Sequence, residues 1–346
     1  GLLDGRPPDW SADEVQRVTR PSGGTIWLDA RRRPTCRGSL TGAGRWTHQY
    51  GNAANTANSG DQLIGRHVEL RWFGGPGPRR MVDRHLRGPA PLVENGRLLI
   101  PAQDALIGVD AYNGTELWQI DLPGSQRYSM PYDAGYIAAE GDRVAVAVGK
   151  ECWLIDARNG TCAERIEVPA AAGSSDSVWG YAALVHGLLF GTAQRPTASR
   201  TEASREQVET AYTNGQPLVT GDAVFCIEPD GAALRWCHRD GQVINSTITL
   251  GAGRMYFVAS RGPQNATGTN GRVPLVDLFA GPADLVAIDL ATGQRVWRRP
   301  VGSSLRQCRN ILYLQYAHGL LVATGSRVGR DHDSWYRIET FDAKSG

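Results

Sequence analysis

The sequence of 346 residues lacks the features of several common protein classes. It contains no run of 18 apolar residues, so no membrane-spanning helix is predicted. Basic and acidic residues nearly balance, at 37 against 35, which argues against a dedicated nucleic-acid surface. The first ten residues contain neither an initiator methionine nor the apolar core of a signal peptide. None of these absences defines the cellular compartment.

Cysteine motifs are also missing. The six cysteines form no C-x-x-C pair, no adjacent pair and no C-x-x-C-H haem-attachment motif, so bound haem is not expected. Free thiols are the favoured prediction. The pair best placed to form a disulfide is Cys226 and Cys237, because they flank the turn at 228–231 and hairpin pairing would bring their Cβ atoms close. Such a bridge would imply an oxidising compartment.

Methionine and phenylalanine are scarce, at 3 and 6 residues, whereas glycine, proline and tryptophan are plentiful, at 42, 19 and 10. This composition is typical of many short strands joined by tight turns, and not of packed helices. The sequence therefore favours an all-β fold.

An internal repeat is present, in which an apolar stretch ends at an acid and a glycine-containing turn follows. The four complete copies are LIGVDAYNGTELW (106–118), CWLIDARNGTCAE (152–164), VFCIEPDGAALRW (224–236) and LVAIDLATGQRVW (285–297). A fifth copy, IETFDAKSG (338–346), begins the same pattern. Three copies place a tryptophan eight residues after the acid, but the second has Glu164 there. The conserved positions of the repeat are Asp110, Trp118, Asp156, Glu228, Trp236, Asp289, Trp297 and Asp342.

Each copy of the repeat reads as a β-hairpin. The short carboxylate of the acid accepts backbone N–H groups within the turn, and glycine supplies the positive φ that a tight hairpin needs. A second strand pair precedes the hairpin, as in residues 91–103 and 247–260, so one period contains four strands. Repeated four-stranded units are the blades of a β-propeller, which bury their faces against each other. We therefore predict a β-propeller of four-stranded blades whose hairpin tryptophans are buried at equivalent positions.

The pattern L-x-A-[IL]-D-x-x-[TN]-G-x-x-x-W resembles the repeat of the quinoprotein-like (PQQ-like) β-propeller family. That family includes PQQ-dependent alcohol dehydrogenases and non-enzymatic propellers. Residues 46–72, WTHQYGNAANTANSGDQLIGRHVELRW, are also similar to the opening of these domains. The resemblance implies a propeller domain over residues 46–346. It is informative about the fold and says little about activity, because the repeat builds the scaffold and not the site.

Residues 1–40 do not fit a blade, and we expect a short α/β segment there. Ser11 and Glu14 form a capping box that predicts a helix over residues 12–19, and residues 25–29 are predicted to be extended. The string EVQRVTRPSGGTIWL (14–28) is similar to the late helix–turn–strand of class I SAM-dependent methyltransferases. The cofactor-binding loop of those enzymes is absent here, so no methyltransferase activity is assigned. A capped linker helix and a degenerate blade strand are the alternatives.

Several residues are candidates for ligand binding, although each also has a structural explanation. Arg84 and His85 lie in a charged segment before the first complete blade, where an anion site competes with an ion-paired loop. Trp179 and Tyr181 could present an aromatic platform, or simply start a packed strand. Arg200 belongs to an arginine-containing insertion that could form a cationic lid or a solvated loop.

Metal ligands are harder to place. Asp331 and Asp333 are weak candidates, because an acidic pair on a loop is more often a solvated turn. A quinoprotein dehydrogenase, as the resemblance implies, needs a flat slot for PQQ, a Ca²⁺ or lanthanide ion held by oxygen ligands, and an aspartate base. The adjacent-cysteine disulfide of many family members is missing, and no residue set matches their metal ligands.

Two functions follow from the resemblance. The favoured one is a non-catalytic binding or scaffolding module of a larger multidomain protein. It would use loops on the propeller face to recognise a protein or polymer, and it would bind no nucleic acid and no cofactor. The alternative is a PQQ- and Ca²⁺-dependent alcohol or sugar dehydrogenase. A periplasmic or cell-envelope location is slightly favoured.

The way the ring closes is a separate expectation. The fifth hairpin reaches Gly346 before its tryptophan, and the stretch that ends at Trp72 has no hairpin of its own before it. Residues 67–72 could pair with residues 336–342 and close a ring of five blades. An open sheet edge is normally covered, either by such a closure or by further blades. We favour an incomplete arc of a larger ring, because the sequence stops inside a copy of the repeat.

Overall fold

The computed structural model describes residues 11–27, 33–82, 87–202, 204, 216–262, 270–328 and 334–346. Helix α1 (Ala12–Val18) begins at Ser11, whose side-chain oxygen accepts the backbone N–H of Glu14 at 3.2 Å. Strand β1 (Thr25–Ile26) pairs with β2 (Thr35–Cys36) in a separate two-stranded sheet. The capped helix is confirmed, and the extended prediction is confirmed for β1.

The N-terminal segment contacts the turns of the first blade. Helix α1 contributes no buried residue, whereas Arg20 forms an ion pair with the buried carboxylate of Asp110. The described residues before position 46 thus show a helix and a two-stranded sheet, and not a four-stranded blade. The boundary between residues 1–40 and 46–346 stays a prediction.

Antiparallel sheets of consecutive strands make up the rest of the chain, as predicted. Blade 1 comprises β3 (Leu92–Glu94), β4 (Arg97–Ala102), β5 (Ala105–Asp110) and β6 (Glu116–Asp121). Blade 2 comprises β7 (Ile137–Glu140), β8 (Arg143–Val148), β9 (Glu151–Asp156) and β10 (Cys162–Glu167). Blade 3 comprises β11 (Val178–Val185), β12 (Leu188–Gln194), β13 (Leu218–Glu228) and β14 (Ala233–His238).

A short strand, β15 (Gln242–Ile244), pairs with both β13 and the second strand of blade 4, and so joins blades 3 and 4. Blade 4 comprises β16 (Thr249–Gly251), β17 (Arg254–Ser260), β19 (Ala283–Asp289) and β20 (Arg295–Pro300). Strand β18 (Arg272–Val273) and helix α2 (Leu275–Leu278) lie between β17 and β19. Blade 5 comprises β21 (Leu312–Ala317), β22 (Leu320–Arg327) and β23 (Trp335–Asp342).

The meander order places the loops on two opposite faces, because successive turns of an antiparallel sheet alternate between its ends. We call the face with the acid–glycine turns the hairpin face. The other, the insertion face, carries the loops after the second strand of each blade, which include the described residues 195–202, 216–217, 261–262 and 270–282. The buried core lies between neighbouring blades, in clusters that span blades 1 to 3, blades 3 and 4, and blades 4 and 5.

Asp110, Asp289 and Asp342 fix their hairpin turns as predicted, whereas Glu228 pairs with Arg235. Oδ1 of Asp110 accepts the backbone N–H groups of Tyr112 and Asn113 at 2.8 and 3.2 Å. Asp289 and Asp342 accept the equivalent pairs of N–H groups in their own turns. A side-chain carboxylate thus fixes each of these turns, and the glycine that follows it has positive φ.

The tryptophans after these acids dock on the next blade. The indole Nε1 of Trp118 donates to the Ala157 carbonyl at 2.9 Å, and its ring covers Gly160, where an added Cβ would lie 2.6 Å from a ring carbon. The same donation joins Trp236 to Leu290 at 2.8 Å and Trp297 to Ala343 at 3.1 Å. Trp118 and Trp236 are buried, and Trp297 is half-buried. Their equivalence confirms the repeat.

Trp72 makes the same contact on blade 1, which the sequence alone did not reveal. Its Nε1 donates to the Ala111 carbonyl at 3.1 Å, and its ring covers Gly114. Residues 67–72 are not in a strand, and among the described residues β23 pairs with β22 alone. The number of blades in the full ring stays a prediction.

All six cysteines are free thiols. Cys226 lies opposite Trp236, and Cys237 lies opposite Phe225, so the two thiols point to opposite faces of the sheet. Cys226 is accordingly buried in the core between blades 3 and 4, whereas Cys237 packs against the core of blades 1 to 3. Hairpin pairing therefore keeps this pair apart. In the described ranges no helix is long and apolar enough to cross a membrane.

Candidate functional site

A segment of irregular backbone, residues 46–57, crosses the centre of the ring; we call it the channel segment. It forms backbone hydrogen bonds with the innermost strands of four blades, β3, β7, β16 and β21. The bonded pairs are Trp46 with Val93, Thr47 with Ala139, Ala53 with Leu250, and Ala54 with Tyr316. Trp46 and Val93 exchange two hydrogen bonds and each other pair forms one, with lengths of 2.8 to 3.0 Å. The centre of the propeller is therefore spanned by the chain itself.

Two asparagines shape the channel segment. Oδ1 of Asn52 accepts the N–H groups of Ala54 and Thr56, which makes a compact turn. Asn55 has a φ of 55°, a conformation that asparagine tolerates, and its Nδ2 donates to the carbonyls of Ile248 and Leu314 at 2.8 and 3.0 Å. The N-A-A-N-T stretch thus ties blade 4 to blade 5 across the channel.

A small polar cavity remains beside the channel segment, and we call it the channel cavity. Its volume is about 20 Å³, and its lining includes His48, Tyr50, Tyr181, Asn245 and Ser246. This volume holds about one water molecule. Burial lowers the pKa of His48 to about 4, so the imidazole is neutral at neutral pH. Its Nε2 is buried and has no hydrogen-bond partner among the described residues, which makes it a ready partner for a small polar molecule.

A second cavity lies on the insertion face, where Tyr128, Tyr132, Asp133, Arg200 and Arg272 meet around about 10 Å³. Arg200 donates to Oε1 of Gln216 at 2.7 Å. Burial, reinforced by the charge of Arg272, lowers the pKa of Arg200. Burial raises the pKa of Asp133, although Arg127 opposes that change. The structure thus places Arg200 among polar groups, and its role in ligand binding stays a prediction.

Trp179 and Tyr181 lie in the same strand, β11, but their side chains have different surroundings. A register irregularity between Trp179 and Ala182 turns the two aromatic residues to different surroundings. Trp179 is fully buried, donates to the Ile166 carbonyl at 2.9 Å and packs edge-on against Phe225. It offers no ring face to a ligand and belongs to the core. Tyr181 lines the channel cavity, and burial raises the pKa of its hydroxyl.

The remaining candidates cannot be placed: Arg84, His85, Asp331 and Asp333 lie outside the described residues. Within the described ranges, no group of three or more His, Cys, Asp or Glu side chains could hold a metal ion. The channel and insertion-face cavities, at about 20 and 10 Å³, are far smaller than the about 300 Å³ that a small-molecule pocket requires. The residues that line the centre therefore do not fit PQQ.

Solved structures similar to this chain are β-propellers. BamB from Moraxella catarrhalis is 11% identical, with a TM-score of 0.40, and the match covers 75% of this chain and 66% of that one. Quinohemoprotein alcohol dehydrogenase from Comamonas testosteroni is 12% identical, with a TM-score of 0.49, and the match covers 87% and 48%. The corresponding enzyme from Pseudomonas putida HK5 is 14% identical, with a TM-score of 0.48, and the match covers 87% and 46%.

The chain thus spans somewhat under two thirds of that BamB and about half of each dehydrogenase. No curated protein sequence matches the chain significantly. The family model described as outer membrane protein assembly factor BamB matches residues 11–346, which is nearly the whole sequence. The chain therefore belongs to the family of outer membrane protein assembly factor BamB, a family of PQQ-like β-propellers.

Proposed function

We propose that this chain is a non-catalytic binding or scaffolding module that recognises a protein partner with the loops of its insertion face. One observation carries the proposal: the channel segment bonds to the inner strands of four blades and leaves a cavity of about 20 Å³. A quinoprotein dehydrogenase would need that space for its cofactor. The described loop residues of the insertion face, at 195–202, 216–217, 261–262 and 270–282, provide the surface that a partner would contact.

The proposal extends to the surroundings of the module. The family description names an assembly factor of outer membrane proteins, which supports a protein partner and a location at the cell envelope. We further propose that residues 1–40 connect the propeller to a neighbouring domain of the same polypeptide. Because these residues resemble the end of a methyltransferase domain, a methyltransferase is one candidate for that neighbouring domain.

A cofactor titration tests the proposal. PQQ and Ca²⁺ are added to the purified chain while absorbance and tryptophan fluorescence are followed, and dye reduction is then measured with ethanol and with glucose. We expect no saturable binding and no turnover. Stoichiometric, Ca²⁺-dependent PQQ binding with alcohol oxidation would overturn the proposal and establish the dehydrogenase.

The Asn55→Ala variant serves as a control for the channel segment. It removes the hydrogen bonds to the Ile248 and Leu314 carbonyls and loosens the segment without touching the blades. If wild type and variant both fail to bind PQQ, the module lacks the slot altogether. If the variant alone binds, the channel segment is a plug over a cofactor site, which contradicts the proposal.

A further inference from the structure

Three arginines converge on one carboxylate between blades 3 and 4. Nη1 of Arg261 lies 3.4 Å from Oδ1 of Asp240. On the other side of that carboxylate, Nη1 of Arg295 and Nη1 of Arg298 lie 3.1 and 3.4 Å from Oδ2. The second Nη of Arg261 forms an ion pair with Asp284. Guanidinium groups of one strand, β20, and of the loop after β17 therefore share two acidic side chains.

The strand register explains why these side chains meet. Trp297 docks on blade 5, so its neighbour Arg298 points from β20 toward blade 3. Asp240 follows β14, the outer strand of blade 3, and Arg261 follows β17 of blade 4. The cluster is thus built by the two blades together. Burial alone would raise the pKa of Asp240, but the charges of Arg261, Arg298 and Arg295 lower it.

An open groove of about 370 Å³ lies beside the cluster on the insertion face, and we call the cluster and groove together the arginine groove. The groove lining adds Arg195, Arg239 and Asp222 to Arg261. Glycines at 241 and 262 keep the backbone accessible along it. Its five arginines and three aspartates leave an excess of two positive charges, as large as the net charge of the entire chain.

Donor groups in the arginine groove face solvent. A guanidinium carries five N–H groups, and Arg295 and Arg298 each direct one of them to Asp240 in the described structure. Their side chains are 46% and 39% exposed. A planar guanidinium recognises carboxylates through paired hydrogen bonds, and such charge-assisted bonds are stronger than neutral ones. The groove can therefore engage further carboxylates beside Asp240.

We propose that the arginine groove binds an acidic stretch of a partner polypeptide, with Arg295 and Arg298 as its principal contacts. Carboxylate is the group that Arg295 and Arg298 already hold in Asp240 and that Arg261 also holds in Asp284, and the groove is open enough for an extended chain. The inference rests on the proposed function, because it gives the chemistry of the partner on the same insertion face. Charge complementarity of this kind sets specificity and association rate.

Fluorescence anisotropy with a labelled hexaglutamate peptide tests the inference on the full chain at low salt. Arg295→Gln/Arg298→Gln should weaken binding by about tenfold, because it removes two contacting charges. The control Arg143→Gln/Arg165→Gln removes two charges of similar exposure from blade 2 and should change binding by less than about twofold. Arg295→Lys/Arg298→Lys keeps the charge but loses the paired geometry, and should fall between wild type and the glutamine variant.

Three results would overturn the inference: no peptide binding by wild type, equal weakening in the control, or stronger binding of inorganic pyrophosphate or a DNA oligonucleotide than of the peptide. Circular dichroism melts of both glutamine variants establish that each is folded. The cofactor titration is independent of this experiment. If the chain binds neither PQQ nor the peptide, the proposed function as a non-catalytic module stands and the inference of an acidic partner is refuted.

Discussion

The junction between blades 1 and 2 and the junction between blades 2 and 3 are built on the same repeat but closed differently. At the first, Trp118 covers Gly160 and donates to the Ala157 carbonyl. At the second, Glu164 occupies the position of the tryptophan, and Ala232, with a φ of 52°, stands where the other hairpins have glycine. An added Cβ at the neighbouring Gly231 would meet nothing within 4 Å among the described residues.

We call a junction that is covered by a tryptophan docked, and the junction between blades 2 and 3 open. The comparison shows that, in a docked junction, the tryptophan and the glycine that it covers depend on each other. The indole leaves no room for a Cβ at the glycine it covers, so alanine is tolerated at that position only where the indole is absent. The residue under the tryptophan is also small in the docked blades, namely Gly108, Cys226 and Ala287, whereas blade 2 has Leu154 there. Loss of the tryptophan therefore accompanies changes at both sites it would contact.

Polar contacts replace the tryptophan at the open junction. Arg143 pairs with Asp230 across the two blades at 2.7 Å, and Arg158 pairs with Asp156 at 2.6 Å. These groups border a cavity of about 470 Å³ together with Leu154 and Glu164. Exposed ion pairs contribute little to stability, so we expect the open junction to be the weakest contact between described blades.

Replacing the tryptophan of a docked junction should have the largest effect. Trp118→Ala removes a buried side chain together with its hydrogen bond, so the free energy of unfolding should fall by about 3–5 kcal/mol. Glu164→Ala, at the equivalent position of the next blade, should change it by less than about 0.5 kcal/mol. Urea unfolding followed by tryptophan fluorescence measures both. Similar values for the two variants would refute the distinction between the junctions.

The covered glycine gives the second test. Gly160→Ala places a Cβ against the Trp118 ring at a φ of 74°, and should lower the free energy of unfolding by about 2–3 kcal/mol. Ala232→Gly, the reverse exchange at the open junction, should stay within about 0.5 kcal/mol, because relief of strain and loss of chain stiffness oppose each other. Thermal unfolding provides the measurement. A large gain from Ala232→Gly would mean that the turn itself is strained.

Much of this architecture could be predicted from sequence, because the hairpins rest on local signals. The acid, the glycine and the tryptophan lie within a dozen residues, and their spacing is enough to place each turn. The contacts of residues 46–57 could not be predicted in the same way. Trp46 and Ala54 meet strands that start about 45 and 260 residues later in the chain, and no local periodicity marks such contacts.

The candidate site was predictable only in part. Tyr181 and Arg200 do lie beside cavities, but Trp179 faces the core because a register irregularity separates it from Tyr181. Strand alternation alone would have put the two aromatic side chains on one face. The arginine groove could not be predicted from the sequence, because Asp240, Arg261 and Arg295 come from three separate segments.

Introducing a tryptophan between blades 2 and 3 should change the free energy of unfolding by a smaller amount. The sign of this change shows whether the space for an indole is already occupied. Glu164→Trp alone should lower the free energy of unfolding by about 1–2 kcal/mol, because Leu154 occupies the space beneath the new ring. In the Leu154→Ala/Ala232→Gly background the same exchange should raise it by about 1 kcal/mol, since the indole then fills a cavity and meets no Cβ at position 232. A double-mutant cycle in urea measures this coupling. Additive effects would show that Leu154 does not occupy the indole position.

The smallest expected effect concerns the ion pair at the edge of the open junction. Hydrogen bonds from Arg158 lower the pKa of Asp156 to about 2. Because this carboxyl is more acidic in the folded than in the unfolded chain, the pair adds its full stability above the unfolded pKa of about 4, and loses it as the pH falls toward 2. The pair is exposed and screened, so Arg158→Gln should lower the free energy of unfolding only slightly at pH 7. The difference between wild type and variant should shrink as urea unfolding is repeated from pH 5 to pH 3, and should also shrink in high salt. The contact of the Trp118 ring with Gly108 and Gly160 includes no titratable group, so the cost of Trp118→Ala should stay constant over the same range. A difference for Arg158→Gln that grows at low pH would mean that Arg158 stabilises the open junction by packing and not by charge.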